Sequence, residues 1–242
     1  MKGILQQICP PIVWRGLSAV KGRLVSAISV DSPEPDLRVI KLGDPSGQDL
    51  DVYWDPKMAE ILETWGEGTA WHELKFLMVG LWGKVLDVAC GTGKNIEDLS
   101  EITQLEIHGC DISDLLINKA IERGIPRENL RVCDARMTGY SDNFFDYSYS
   151  IGSLEHFTDK GLDEVIAEIY RITREHSFHM IPVSRSGLDE GWIQTTQSYY
   201  CNSVDWWLKK FKAIYPDISV VDSLWKGQVT NGKWFICAKG AS

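Results

Sequence analysis

Lys84-Val85-Leu86-Asp87-Val88-Ala89-Cys90-Gly91-Thr92-Gly93-Lys94-Asn95 is the stretch around which the chain is organised. Lys84 to Val88, with Gly83 just before it, reads as a short buried strand, mostly apolar and β-branched. Cys90 to Gly93 makes a tight glycine turn, and Ile96 and Leu99 begin a helical pattern. Glycine lets the backbone approach a ligand with no Cβ in the way. The start of a helix offers N–H groups that no carbonyl of the helix uses. Strand, turn and helix start together form an anchor of nucleotide size.

Three nucleotide motifs share this shape. A Walker A loop, Gly-x-x-x-x-Gly-Lys-Ser/Thr, would need glycine at 88 and a hydroxyl residue at 95, where the chain has Val88 and Asn95. The dinucleotide pattern Gly-x-Gly-x-x-Gly/Ala begun at Gly91 would need a small residue at 96, which is Ile96. What remains is Asp-x-x-x-Gly-x-Gly with Asp87 in the strand end. Here the chain resembles the class I S-adenosylmethionine-dependent methyltransferases: residues 85–93, VLDVACGTG, are close to their first motif, with Ala89 where the family often has glycine. The ligand implied is a sulfonium amino acid rather than a pyrophosphate, so a carboxylate beside the turn makes physical sense. The resemblance implies S-adenosylmethionine as cofactor, S-adenosylhomocysteine as product, and cofactor contacts from Asp87, Ala89, Cys90, Gly91 and Gly93. A plain βα turn in another α/β domain is the competing reading.

Downstream, helix and strand alternate. Strands are predicted over 105–110, 129–133, 144–150 and 177–183, and helices over 114–123, 162–173 and 204–211. Strands separated by helices imply right-handed βαβ crossovers, whose strand ends gather at one sheet edge and leave a crevice there. Residues 218–225 and 233–239 read as a terminal antiparallel hairpin. The family resemblance, covering roughly residues 60–240, implies a doubly wound, mostly parallel seven-stranded sheet of Rossmann-like type that ends in such a hairpin. Upstream, short helices over 57–64 and from a Thr69 cap suggest a helical cover or lid at 51–82, dense in aromatics (Tyr53, Trp54, Trp65, Trp71). Residues 1–50 read as an arm and linker, and 51–242 as the domain.

Asp111 lies eighteen residues beyond Gly93 at a strand end, where a carboxylate can accept both ribose hydroxyls. His108 to Ser113 looks like the family's matching motif, with Ile112 beside the acid; a helix cap is the plainer role. For Asp134, the resemblance suggests acceptance from the adenine amino group, with the Ala135 N–H donating to the ring and Arg136 flanking it. Past the next strand, Ser150-Ile151-Gly152-Ser153 replaces the Asn/Asp-Pro-Pro-Tyr/Phe of amino-group methyltransferases acting on nucleic acid or protein glutamine. Ile151 is expected at the cofactor. Leu154-Glu155-His156 resembles a variant common among small-molecule methyltransferases. His156, with an ordinary pKa of about 6.5, is a candidate general base for a hydroxyl, or else a structural histidine. The polar and aromatic loop 184–203 is expected over the crevice. Arg185, Trp192, Gln194, Tyr199 and Tyr200 are substrate candidates on it, joined by Tyr53 and Trp65 from the cover. His176 and His179 have no convergent third ligand, so no metal is expected.

The net charge of −9 and pI of about 5.1 argue against nucleic acid as the main partner and leave a small-molecule substrate. Six cysteines, with no CxxC pair, fit a reducing, cytoplasmic setting. Residues 12–30 can be drawn as a basic amphipathic segment touching the inner face of an anionic membrane, or as an arm packing on the domain or on a partner subunit. Residues 10–15 (PPIVWR) and 53–69 look like methyltransferases associated with bacterial polysaccharide synthesis. That resemblance implies O-methylation of a small polar acceptor such as a sugar or surface-glycan precursor. The alternatives are C-methylation of a quinone or lipid-like acceptor, and cofactor binding without turnover.

Overall fold

The computed structural model describes residues 41–42, 50–65 and 69–240, all within the unit Ile40–Ser242. The proposed membrane arm lies outside the described residues. Among the described residues no helix is long and apolar enough to cross a membrane.

The quoted stretch forms strand β2 (Gly83–Val88) and helix α3 (Lys94–Leu99). Parallel to β2 on one side run β3 (Leu105–Asp111) and then β4 (Leu130–Val132); on the other run β5 (Phe145–Ile151) and then β6 (Thr173–Ser184). Antiparallel to β6 lies β10 (Thr230–Ala238), with β9 (Asp217–Lys226) at the edge. The seven-stranded order is therefore β4-β3-β2-β5-β6-β10-β9. In this sheet the expected element types hold, with ends moved by a few residues. The largest shift is β6, which begins at Thr173 and so contains His176 as well as His179.

The sheet is covered on both faces because its strands are apolar on both. Helices α2 (Ala70–Met78) and α3 lie in one core with Val85, Ile107 and Tyr149. Helix α5 (Asp159–Ile172) lies in the other with Leu86, Phe145 and Ile181, and so do Trp207 and Phe211 of α6 (Val204–Lys212). Helix α4 (Asp114–Glu122) buries Leu116, Ile117 and Ala120 behind the β3–β4 crossover. Ser113, Thr158 and Ser203 cap their helices, their hydroxyls accepting from the backbone N–H of Leu116, Gly161 and Trp206. Thr69 is an exception. It precedes α2, but its side chain makes no capping bond there. The first cover helix, α1 (Pro56–Leu62), is capped instead by Asp55 with Pro56 at its first position.

Loop 184–203 is not a bare loop. It carries β7 (Trp192–Gln194) and β8 (Tyr199–Tyr200), which pair with each other. With β1 (Lys41–Leu42) on β7, they form a second, three-stranded sheet. Two residues assigned to the linker thus belong to the domain.

Candidate active site

The glycine turn is held by its neighbours' backbone. Cys90 N donates to Cys110 O at 2.9 Å, tying the turn to β3. Ala89 and Gly91 both take the left-handed conformation, with φ of 58° and 54°. For alanine this conformation costs on the order of 1 kcal/mol, strain of a kind that persists only where the surroundings enforce it. Gly93, also left-handed, leaves no room for a Cβ, which would strike Ile125 and Ala120. Arg123, just past the end of α4, fastens the turn from outside. Its Nε donates to Thr92 O at 3.0 Å, its Nη1 to Glu97 at 3.0 Å, and its Nη2 reaches Glu63 past the end of α1. No motif marks Arg123, and sequence reasoning missed it.

Asp111 closes the arrangement at the end of β3. Its Oδ2 accepts from Gly91 N and its Oδ1 from Ser113 N, both at 2.9 Å. Burial raises its pKa, opposed by the N–H groups of Ser113, Gly91 and Ile112. Each carboxylate oxygen has a second lone pair, so ribose hydroxyls can be accepted without breaking these bonds. Asp87 is 1% exposed, and burial pushes its pKa well up. The Tyr149 hydroxyl beside it opposes that rise; Asp87 Oδ2, like Asn95 Oδ1 on α3, makes no hydrogen bond among the described residues. Buried polar atoms left unpaired beside a glycine turn fit a polar ligand that brings its own donors.

Asp134 stands past the end of β4, as the sequence predicts, but not free. Arg136 holds both of its oxygens through three bonds from Nε and Nη2, and the Arg136 backbone N–H adds a fourth. This pairing is the main cause that lowers the Asp134 pKa. Adenine contact by this acid therefore requires Arg136 to turn aside, and Ala135, which is buried, supplies the neighbouring N–H.

On the other side of β2, the end of β5 leads through Gly152 (φ 61°) into the 3-10 turn Leu154–His156. The ring of Trp65 lies so close to Gly152 that a Cβ there would overlap it. Trp65 also packs on Trp225, with ring centroids 5.4 Å apart. His156 Nδ1 pairs with Ser198 O at 2.8 Å, and its ring meets that of Tyr199. Gln197 donates to the Tyr53 hydroxyl at 3.1 Å, and Tyr53 O accepts from Ser113 Oγ at 2.7 Å. Tyr53, Trp65, His156 and Tyr199 thus collect around the ends of β3 and β5. Gln197 and Ser113, absent from the expected set, join them; the Ser113 cap was the available signal.

Three expectations are corrected. Trp192 and Tyr200 are 4% and 6% exposed and pack edge to face in the core, so little of either ring is open to a substrate. Arg185 reaches Gly227 O at 2.5 Å and lines a cavity of about 320 Å³ with Ser203, Asp205 and Lys233, at the start of α6. His156 is ill suited to be a base. Burial drives its pKa down to about 4, against the pull of the Ser198 and Gly152 carbonyls beside the ring. It is neutral at pH 7 but too weakly basic to take a hydroxyl proton readily, and it holds the 195–199 segment. His179 is a core histidine bonded to Ser150 Oγ. Among the described residues no group of side chains could hold a metal ion.

Residues 85–176 match the family described as a methyltransferase domain. The methyltransferase GfsG of Streptomyces halstedii is 32% identical over 128 residues, 50% of this chain and 45% of that protein. The O-methyltransferase cnsE of Penicillium expansum is 31% identical over 132 residues, 52% of this chain and 47% of that protein. The chain therefore spans about half the length of the relatives it matches. A Clostridium acetobutylicum S-adenosylmethionine-dependent methyltransferase shares the fold at a TM-score of 0.60 and 13% identity, covering 76% of this chain and 98% of that one. So does phosphoethanolamine N-methyltransferase 2 of Haemonchus contortus, solved with S-adenosylhomocysteine, at 0.53 and 18%, covering 70% and 53%. Residues 85–176 are thus similar to a methyltransferase domain, and the fold is the Rossmann-like one of class I S-adenosylmethionine-dependent methyltransferases. S-adenosylmethionine is the cofactor of that class.

Proposed function

We propose that the chain transfers a methyl group from S-adenosylmethionine to a hydroxyl of a small polar acceptor. The observation that carries this reading is the enclosure of the β5 end by the chain's own side chains. Trp65 lies on Gly152, and the 197–199 segment is pinned by Tyr53 and His156. A mouth walled by aromatics suits a small molecule better than a nucleic acid or a folded protein. The absence of an Asn/Asp-Pro-Pro-Tyr element points the same way. The sugar or glycan-precursor class rests on the resemblance of residues 10–15 and 53–69 alone.

When bound, the cofactor supplies an electrophilic methyl on a sulfonium, so the chain's own part is orientation and exclusion of water. Asp111 would take the ribose hydroxyls. Asp87 Oδ2 and Asn95 Oδ1 would accept from the ammonium of the amino-acid end. Ala135 would meet the adenine ring once Arg136 releases Asp134. Ile151 would form the apolar wall next to the methyl, and Tyr53, Trp65 and Tyr199 would frame the acceptor.

Nitrogen is the second acceptor to test, because a structural neighbour is a phosphoethanolamine N-methyltransferase. Incubation with S-adenosylmethionine and a panel of nucleotide sugars, sugar phosphates, amino alcohols and quinones decides among them. Mass gain of one methyl on a hydroxyl compound supports the reading. Gain only on amines or quinones overturns the hydroxyl assignment, and no gain anywhere favours cofactor binding without turnover.

A further inference from the structure

Glu155 is the one residue of the 3-10 turn after β5 whose chemistry the site does not yet use. It is 2% exposed, and its Oε2 has no partner among the described residues. Its Oε1 stands 3.8 Å from Nε2 of His156. A lone carboxylate in such a place is costly unless a positive group meets it. Accordingly burial raises its pKa to about 8, which leaves it mostly uncharged at pH 7.

No lysine or arginine among the described residues acts on it. Its turn packs against β6 and β8. On the near part of β6 the titratable group is His179, which burial holds neutral with a pKa down at about 3. On β8 they are Tyr199, raised to about 12, and Tyr200, also raised, both neutral. On its own turn it is His156, neutral as well. The positive partner therefore has to arrive with a ligand.

Topology says which end of the ligand would arrive. Asp134 follows β4, Asp111 ends β3 and the glycine turn follows β2; the next strand in the sheet is β5, and Glu155 lies just beyond it. A cofactor laid with adenine, ribose and amino acid over the first three strands brings its sulfur side toward the fourth, since strands are about 4.8 Å apart. This rests on the S-adenosylmethionine reading above. We propose that the ionisation of Glu155 follows the charge on the cofactor's sulfur: carboxylate opposite a sulfonium, neutral acid opposite a thioether. Cofactor binding at neutral pH would then release a proton from Glu155. With a hydroxyl acceptor the balance closes at the same group. The methyl–sulfur bond breaks as the oxygen–methyl bond forms, the sulfur keeps the bonding pair, and the hydroxyl proton passes to the Glu155 carboxylate.

S-adenosylmethionine and S-adenosylhomocysteine share everything but the methyl and its charge, so their affinity ratio isolates this coupling. Asp87 and Asp111 act on both ligands, and Glu155→Gln corrects for the ligands' own ionisations. Calorimetry from about pH 6.5 to 8.5 should show the ratio, S-adenosylmethionine over S-adenosylhomocysteine, rising roughly five- to twentyfold more in the wild type than in Glu155→Gln. Infrared difference spectra of the wild type give a second readout that needs no variant. At pH 7 the protonated-carboxyl band should vanish with S-adenosylmethionine and persist with S-adenosylhomocysteine. Parallel ratio profiles in the two proteins, or a band indifferent to the sulfonium, would overturn the proposal. Binding of neither ligand would instead remove the cofactor reading, and this proposal with it.

Discussion

The two sides of β2 are built differently. Toward β3 and β4, the ligand edge is backbone held by backbone and by carboxylates on backbone N–H groups: Cys90 on Cys110, Asp111 on Gly91 and Ser113. Toward β5, it is side chains from distant segments meeting each other: Trp65 on Gly152, Gln197 on Tyr53, His156 on Ser198. The first construction fixes geometry to within a hydrogen bond and tolerates little change. The second is assembled from interactions worth about 1 kcal/mol each, so it can be altered piece by piece. A fold that must keep one cofactor and vary its acceptors is well served by that division.

The sharpest test of the difference is Asp111→Ala. It removes a buried acid that organises the turn and would hold the ribose, and contacts of that kind are worth about 1.5–3 kcal/mol. Cofactor affinity by calorimetry should fall at least about tenfold, and far more if the turn loosens. A loss below twofold would show that the turn is not the anchor.

On the other side, Gly152→Ala should act on structure before affinity. The new methyl group meets the Trp65 ring at a positive φ, and such overpacking costs about 1–3 kcal/mol. The denaturation midpoint should drop and tryptophan emission should change as Trp65 leaves. Unchanged emission would place Trp65 elsewhere in solution.

The pH dependence of stability separates the same regions. The folded pKa of His156, about 4, lies below its ordinary value of 6.5. The unfolded chain therefore binds the extra proton first, and stability falls as pH drops from about 6.5 to 4. For Glu155 the folded value is above the ordinary one, so its contribution is lost as pH rises through about 8. Melting curves of His156→Gln should show a shallower acid limb, and those of Glu155→Gln a flatter slope from about pH 5 to 8. A His156→Gln acid limb identical to the wild type would mean that the ring is solvated.

The smallest effect belongs to Gln197→Ala, which removes one part-buried hydrogen bond to Tyr53. Stability should change by about 1 kcal/mol or less, with hydrogen exchange faster over 195–199 and cofactor affinity within about twofold of wild type. A tenfold loss of cofactor affinity would join the two sides into one unit.

The same division explains what could be read from the sequence. Asp87, Gly91 and Asp111 were legible because a local pattern of residue types dictates their backbone geometry, and strand-and-helix alternation gave the sheet. Trp192, Tyr200 and Arg185 misled because a polar, aromatic stretch looks alike whether it lines a crevice or folds into a small sheet. His156 sat at the expected edge, but its partner Ser198 is 42 residues away, and no local signal reveals that a backbone carbonyl claims one nitrogen. Arg123 escaped for the same reason, since its importance lies in what packs against it.

The central claim is that the turn, Asp111 and Asp87 hold S-adenosylmethionine. Calorimetric titration of the wild-type chain with S-adenosylhomocysteine, NAD and ATP tests it most directly. The account predicts saturable, stoichiometric binding of S-adenosylhomocysteine that Asp111→Ala abolishes or weakens at least about tenfold, with no comparable binding of the other two. Tight binding of NAD or ATP with none of S-adenosylhomocysteine would contradict it.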